Sequence, residues 1–242
     1  MMGRKKAMKR LYDDGRKLSK RRKYLNEILE CTYGLERQML MCTLAEDERL
    51  DERLRVSLLI ALEKVPSQES VRVLRRYVHG KHYARVLRSA ALESLSLHGD
   101  PLLHVDLMSL LSDPSEETWL RADVVEKIGG LGLRRAQGLI QAILEDNRDD
   151  ERILFWCLYA CATMKPDKAL KKVVKRYLKD ERELDPGMQG LVKSKVTLAS
   201  EARWVWLKWQ GLNTEPGWAL TAKENEEQES VIREFKKSLK KK

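Results

Sequence analysis

The side chains in this sequence most able to do chemistry are Trp119, Asp123 and Lys127, followed by Arg152 and Trp156. Steps of four place the first three on one stripe of a helix and the last two on a stripe of the next helix. Trp and Arg are the residues that most often anchor protein interfaces, so the pattern points to capture of a protein or peptide partner. A second chemistry is electrostatic. Residues 1–24 hold eleven Lys or Arg against Asp13 and Asp14, a net +9. The cations are Arg4, Lys5, Lys6, Lys9, Arg10, Arg16, Lys17, Lys20, Arg21, Arg22 and Lys23. Such a run suits a nucleic acid or another polyanion, a nuclear import signal or a solubilising tail. Further on, Lys168, Lys172, Lys175 and Lys179 share a helix face opposite Leu170, Val173, Val174 and Tyr177. That face reads as a solvated exterior or as a phosphate-binding stripe.

Other chemistries find little support. Cys157 and Cys161 stand four apart on one helix face, but they occupy places filled by Leu58 and Leu62 in an earlier segment, which is the pattern of core packing. His79 and His82 lack partners at zinc-finger spacing, so neither a metal nor a cofactor is expected. Gly129, Gly130 and Gly132 follow a helical pattern rather than a strand and have no Lys-Ser or Lys-Thr after them, which marks a helix stop rather than a phosphate loop. No Ser-His-Asp set, H-E-x-x-H or G-x-G-x-x-G occurs, so a binding protein is favoured over an enzyme. Ser19, beside Arg16, Lys17 and Lys20, is placed where a phosphate would weaken polyanion binding.

The elements that carry these residues repeat. Leu54, Leu87, Leu120 and Ile153 recur at intervals of 33 residues, and Arg55, Arg88 and Arg121 follow the first three. Behind each come aliphatic or Cys residues at helical spacing, such as Val124, Val125 and Ile128. Met41, Leu74, Leu107 and Ile140 repeat ahead of them at the same interval, so each unit is a pair of helices. Asp47, Gly80, Asp113 and Asp146 are placed just before the second helix, where Asp is expected to cap it. One such pair cannot bury both of its apolar faces, and neighbours must stack to form a continuous core.

The stretch from Asp113 to Gly132, with its D-P-x-x-x-x-x-L-R-x-x-V-V-x-x-I-G-x-L-G pattern, resembles the HEAT repeat in its short bacterial form. The resemblance runs over residues 35–200 and implies an all-α fold, a right-handed α-solenoid of about five HEAT-like helix pairs. In it the second helices line the concave side, which would put Trp119, Asp123, Lys127, Arg152 and Trp156 at the centre of that face. The last unit departs from the pattern, since Asp180 comes 34 residues after Asp146 and Lys193 and Lys195 interrupt its second helix around Met188 to Leu198. A narrower resemblance, to HEAT-like alkylpurine DNA glycosylases, implies another role for the same face: aromatic contact with a damaged nucleotide from Trp119 and Trp156, with Asp123 stabilising the positive charge that develops as the glycosidic bond breaks.

The expected organisation is a basic flexible arm over 1–15, a capping helix over 16–34, the repeats over 35–200, a Trp-rich cap over 201–220 and a charged tail over 221–242. In the cap, Trp204, Trp206 and Trp209 serve either to close the core or as an exposed contact. Two Phe and six Pro with 35% charged residues suit a helical repeat and not a β-rich fold. No apolar run of membrane-spanning length and no signal peptide is read, which implies a cytoplasmic or nuclear setting. The leading functional reading is a scaffold or adaptor that binds a protein partner on the concave face while its basic ends reach an acidic or nucleic-acid surface. The alternative is a nucleic-acid-binding or repair protein.

Overall fold

Among the described residues the 33-residue pattern becomes pairs of helices. A computed structural model describes residues 4–184 and 196–212, and its named elements are all helical. In order they are α1 (Arg4–Leu11), α2 (Leu18–Glu30), α3 (Gly34–Glu46), α4 (Glu52–Leu62), α5 (Gln68–His79), α6 (Arg85–Leu97), α7 (Leu103–Ser112), α8 (Thr118–Gly130), α9 (Gln137–Asp146), α10 (Glu151–Cys161), α11 (Lys168–Tyr177) and α12 (Leu198–Trp209). A 3₁₀ turn, Arg134–Ala136, leads into α9. Among the described residues no helix is long and apolar enough to cross a membrane.

The chain forms two compact units, the first containing α1 to α6 and the second α7 to α12. Within the first, α3 packs on α4 and α5 on α6, while α3 also meets α5 and α4 meets α6. Within the second, α9 packs on α10 and α11 on α12, while α8 meets α10, α10 meets α12 and α9 meets α11. Within its own unit, each of α3 to α6 and α9 to α12 thus touches both a neighbour and a neighbour but one, a packing compatible with stacked pairs. The apolar positions read from the repeat form the cores: Leu54, Leu58, Leu59 and Leu62 in one unit, Leu120, Val124, Val125 and Ile128 in the other, all fully buried.

A shared device closes the first helix of the pairs that begin with α1, α3, α5, α7 and α9. Its last turn leaves a carbonyl without a helical donor, and a buried carbonyl of that kind needs a partner. The carbonyls of Leu11, Val78 and Leu111 accept from Nε of Arg21, Arg88 and Arg121, ten residues on in the second helix of the same pair. Those of Ala45 and Leu144 accept instead from the hydroxyls of Tyr77 and Tyr177, in the first helix of the next pair. Arg55, at the repeat's Arg position, lies beside the Tyr77 hydroxyl, where its charge favours the ionised phenol while burial opposes it more strongly. The arginines that recur in the sequence are therefore structural, and the fully buried Arg88 clasps its carbonyl through Nη2 as well as Nε.

The repeated Asp does a different job from the one expected. Asp47, Asp113 and Asp180 accept from the backbone N–H two residues on, at Arg49, Ser115 and Arg182, and so open the inter-helix turn. Side-chain caps of second helices come four residues later, where Asp51 accepts from Arg53 N and Asp150 from Arg152 N, each at 2.9 Å. The glycine cluster falls at the end of α8: Gly129 and Gly130 are in its last turn, and Gly132, at φ +62°, lies just past the helix.

The basic N-terminal segment is not an arm over its described length. α1 buries Ala7 and Leu11, and α1 and α2 pack together as a pair of the same kind as those that follow. Leu11 lies 33 residues before Leu44, in repeat register. An eight-residue helix is unstable alone, but burying a Leu contributes about 2 kcal/mol and the Arg21 clasp adds to it. At the other end, the Leu184 N–H reaches the Val196 carbonyl and Leu198 N–H that of Arg182, which fixes the chain on either side of 185–195. Most of the second helix expected around Met188 to Leu198 lies outside the described residues, as do the tail over 221–242 and the end of the Trp-rich cap.

Candidate functional site

The five expected contact residues lie on α8 and α10, two helices that pack closely. Trp119 is part-exposed in the first turn of α8, its Nε1 donating to the Glu117 carboxylate at the helix N-terminus. Asp123 follows one turn on, and Lys127 another turn on, 3.5 Å from Glu126. Arg152 and Trp156 are part-exposed on α10. Gly129 sets the separation of the two helices: a Cβ there would stand 3.0 Å from Ala160 Cα and 3.1 Å from the Tyr159 ring. Trp156 is tied into an aromatic row. It meets Phe155 and Tyr159 edge-on at 5.2 and 5.3 Å, and Tyr159 in turn stacks on Trp204 of α12 at 5.5 Å. Part of its surface is therefore spent on packing, and Trp119, Arg152 and Trp156 all remain part-exposed.

The Trp-rich helix belongs chiefly to the core. Trp204 is only 6% exposed, with the Lys208 ammonium 5.8 Å from its ring centre. Trp209 is part-exposed, and its Nε1 donates to the Cys161 carbonyl at the end of α10. The same helix hides a residue that the sequence reading passed over. Glu201 is 0% exposed and neither carboxyl oxygen has a hydrogen-bond partner; burial alone pushes its pKa well above the carboxylate range. Tyr159, raised in pKa chiefly by burial, is the other overlooked member of this cluster. Its place three residues after Trp156 on a helix was the available signal.

The basic residues separate into two groups. Lys5, Lys6 and Lys9 lie exposed on the face of α1 opposite Ala7 and Leu11, and Lys17, Lys20, Arg22 and Lys23 are exposed on or beside α2. Arg4 opens α1. Arg10 and Arg16 hold their guanidinium groups 5.5 and 5.9 Å from the centre of the Tyr24 ring, and Arg16 pairs with Asp13 at 2.7 Å. Arg21 departs from its expected place on the polyanion surface. It is 4% exposed, spent on the Leu11 carbonyl and on Asp14 at 2.9 Å. In the second unit, Lys168, Lys172, Lys175 and Lys179 are exposed on and just beyond α11, opposite buried Leu170, Val173, Val174 and Tyr177.

Metal and thiol chemistry find no site among the described residues. No group of three His, Cys, Asp or Glu is poised to hold a metal there. Cys157 and Cys161 are buried, and burial pushes both thiols well above their usual range, so they stay protonated. The chain matches no protein-family model, and no curated protein is detectably similar to it in sequence.

Proposed function

We propose that the chain is a binding scaffold: a solenoid of HEAT-like helix pairs that grips a protein partner on the α8–α10 surface while its basic N-terminal pair contacts an acidic or nucleic-acid surface. One observation carries the reading. Trp119 and Arg152 stand part-exposed on two helices brought close together at Gly129. Aromatic and Arg side chains on a rigid base lose little freedom on binding, as interface anchors require.

The glycosylase alternative uses the same residues with less support. It needs two aromatic rings and a carboxylate around one extruded base, whereas Trp119 engages Glu117 and Trp156 is built into the row with Tyr159. The test is in-cell crosslinking of the full chain and of a Trp119→Ala, Arg152→Ala variant, followed by reconstitution with the purified crosslinked protein. A partner that binds the wild type and loses about a hundredfold in affinity with the variant, whose melting temperature stays within about 3 °C, supports the scaffold. Release of alkylated bases from duplex DNA, abolished by Asp123→Asn, overturns it.

A further inference from the structure

We infer that α1 and α2 form a preassembled cationic surface for the sugar-phosphate backbone of a nucleic acid. The inference rests on the polyanion part of the proposed function and narrows it in two respects, the order of the surface and the class of its partner.

Order comes from the anchoring of α1. Ala7 and Leu11 are buried, and Arg21 Nε holds the Leu11 carbonyl at 2.7 Å. The following turn is pinned as well: the Tyr12 hydroxyl donates to Asp47 at 2.8 Å, and the Arg49 guanidinium lies 5.5 Å from the Tyr12 ring centre. The cations of α1 are thereby fixed relative to those of α2.

The partner class comes from charge and composition. The acids of this pair that lie near the basic run are already engaged, Asp13 by Arg16 and Asp14 by Arg21. That leaves Lys5, Lys6, Lys9, Lys17, Lys20, Arg22 and Lys23 exposed, with no ion pair to any described residue. No large hydrophobic residue is among the exposed residues of the described pair; the first among the described residues is Tyr33. A protein interface needs a desolvated apolar or aromatic centre and is depleted in Lys, whereas phosphate contacts are made by Lys and Arg without one. Six of the seven cations are Lys, a point charge that binds phosphate without the forked geometry that Arg uses to read base edges. Binding by this surface is therefore independent of base sequence.

The experiment uses the full chain and fluorescent duplexes of two unrelated sequences, titrated between about 50 and 200 mM salt. Equal affinity for both duplexes is expected, falling steeply as salt rises. Replacing Lys5, Lys9, Lys20 and Lys23 with Gln should weaken binding at least about tenfold and reduce the log–log salt slope by about 2 to 4. Leu11→Ser retains every charge but removes the buried contact of α1, and should weaken binding about fivefold, since flexible cations must be ordered on binding. Leu11→Ala is the gentler form if the serine variant misfolds, and circular dichroism checks both. Duplex binding that both Leu11 variants leave unchanged overturns the preassembled surface. Binding to polyglutamate or to phosphatidylserine vesicles as tight as to the duplex overturns the partner class. Failure to bind any of the three polyanions overturns the underlying reading and this inference with it.

Discussion

Glu201 is the residue most out of keeping with its surroundings. A buried carboxyl without a partner is held neutral, because burial penalises the charged form more than the acid. In the unfolded chain it ionises in the usual range, with a reference value of 4.5. Its folded pKa is raised, so its contribution to stability is fully present below that range and is lost as pH climbs toward the raised value. Glu201→Met should therefore stabilise the protein by about 1–3 kcal/mol at neutral pH, with the gain shrinking toward pH 5. Urea unfolding followed by tryptophan fluorescence at several pH values measures it, and a variant with the same pH dependence as the wild type would remove Glu201 as the cause. Little of this was legible in the sequence. Trp204, Trp206 and Trp209 stand out by type, but with spacings of two and three they point in different directions, and only packing shows that Trp204 turns inward. The run Arg21-Arg22-Lys23 hides its one buried member in the same way, although Arg21 does lie 34 residues before Arg55.

At the scale of elements, the closure of first helices distinguishes two tyrosines that do the same job. Tyr77 shares its site with Arg55, whereas the corresponding position beside Tyr177 holds Leu154. Tyr177→Phe should leave the Leu144 carbonyl without its tyrosine donor at a cost of about 1–3 kcal/mol. Tyr77→Phe should cost less, about 1 kcal/mol, because Arg55 is at hand to take over. Chemical denaturation of the two variants compares them directly; equal losses would mean that Arg55 gives no cover. The helices themselves were legible from the 33-residue interval, since the apolar positions that build each core obey it. α1 was missed because Ala7 and Leu11 are its only buried apolar residues, too few to reveal a helical period among so many charges. The expected Asp cap was misplaced by four residues because Asp serves turns and helix N-termini equally well. On the candidate surface the stripe of Trp119, Asp123 and Lys127 could be read from spacing, but the aromatic row through Tyr159 could not, because it depends on α12 coming back against α10.

Across the whole molecule the two units carry opposing responses to acid. In the first, the hydrogen bond from Arg49 holds the Asp47 carboxyl well below its usual range, and Tyr12, raised to about 12 chiefly by burial, donates to it. A depressed carboxyl contributes stability that is present above its unfolded pKa and is lost as pH falls through the folded one. Acid should thus loosen the tie between the end of α1 and the turn after α3, while it relieves Glu201 in the second unit. Hydrogen exchange resolved by segment and corrected for intrinsic rates should show α1 opening first below about pH 4. Asp47→Asn should raise exchange in α1 about tenfold at neutral pH, and protection equal to wild type would show that Asp47 does not hold this corner.

The use of two kinds of closure, Arg and Tyr, also sets an order in time. During synthesis, the carbonyls of Leu11, Val78 and Leu111 are served as soon as the next ten residues have emerged, because their donors lie in the same hairpin of helices. Ala45 must wait 32 residues for Tyr77, and Leu144 must wait 33 for Tyr177. A nascent chain that pauses with α9 exposed still keeps water on its last turn, and only translation past Tyr177 dries it.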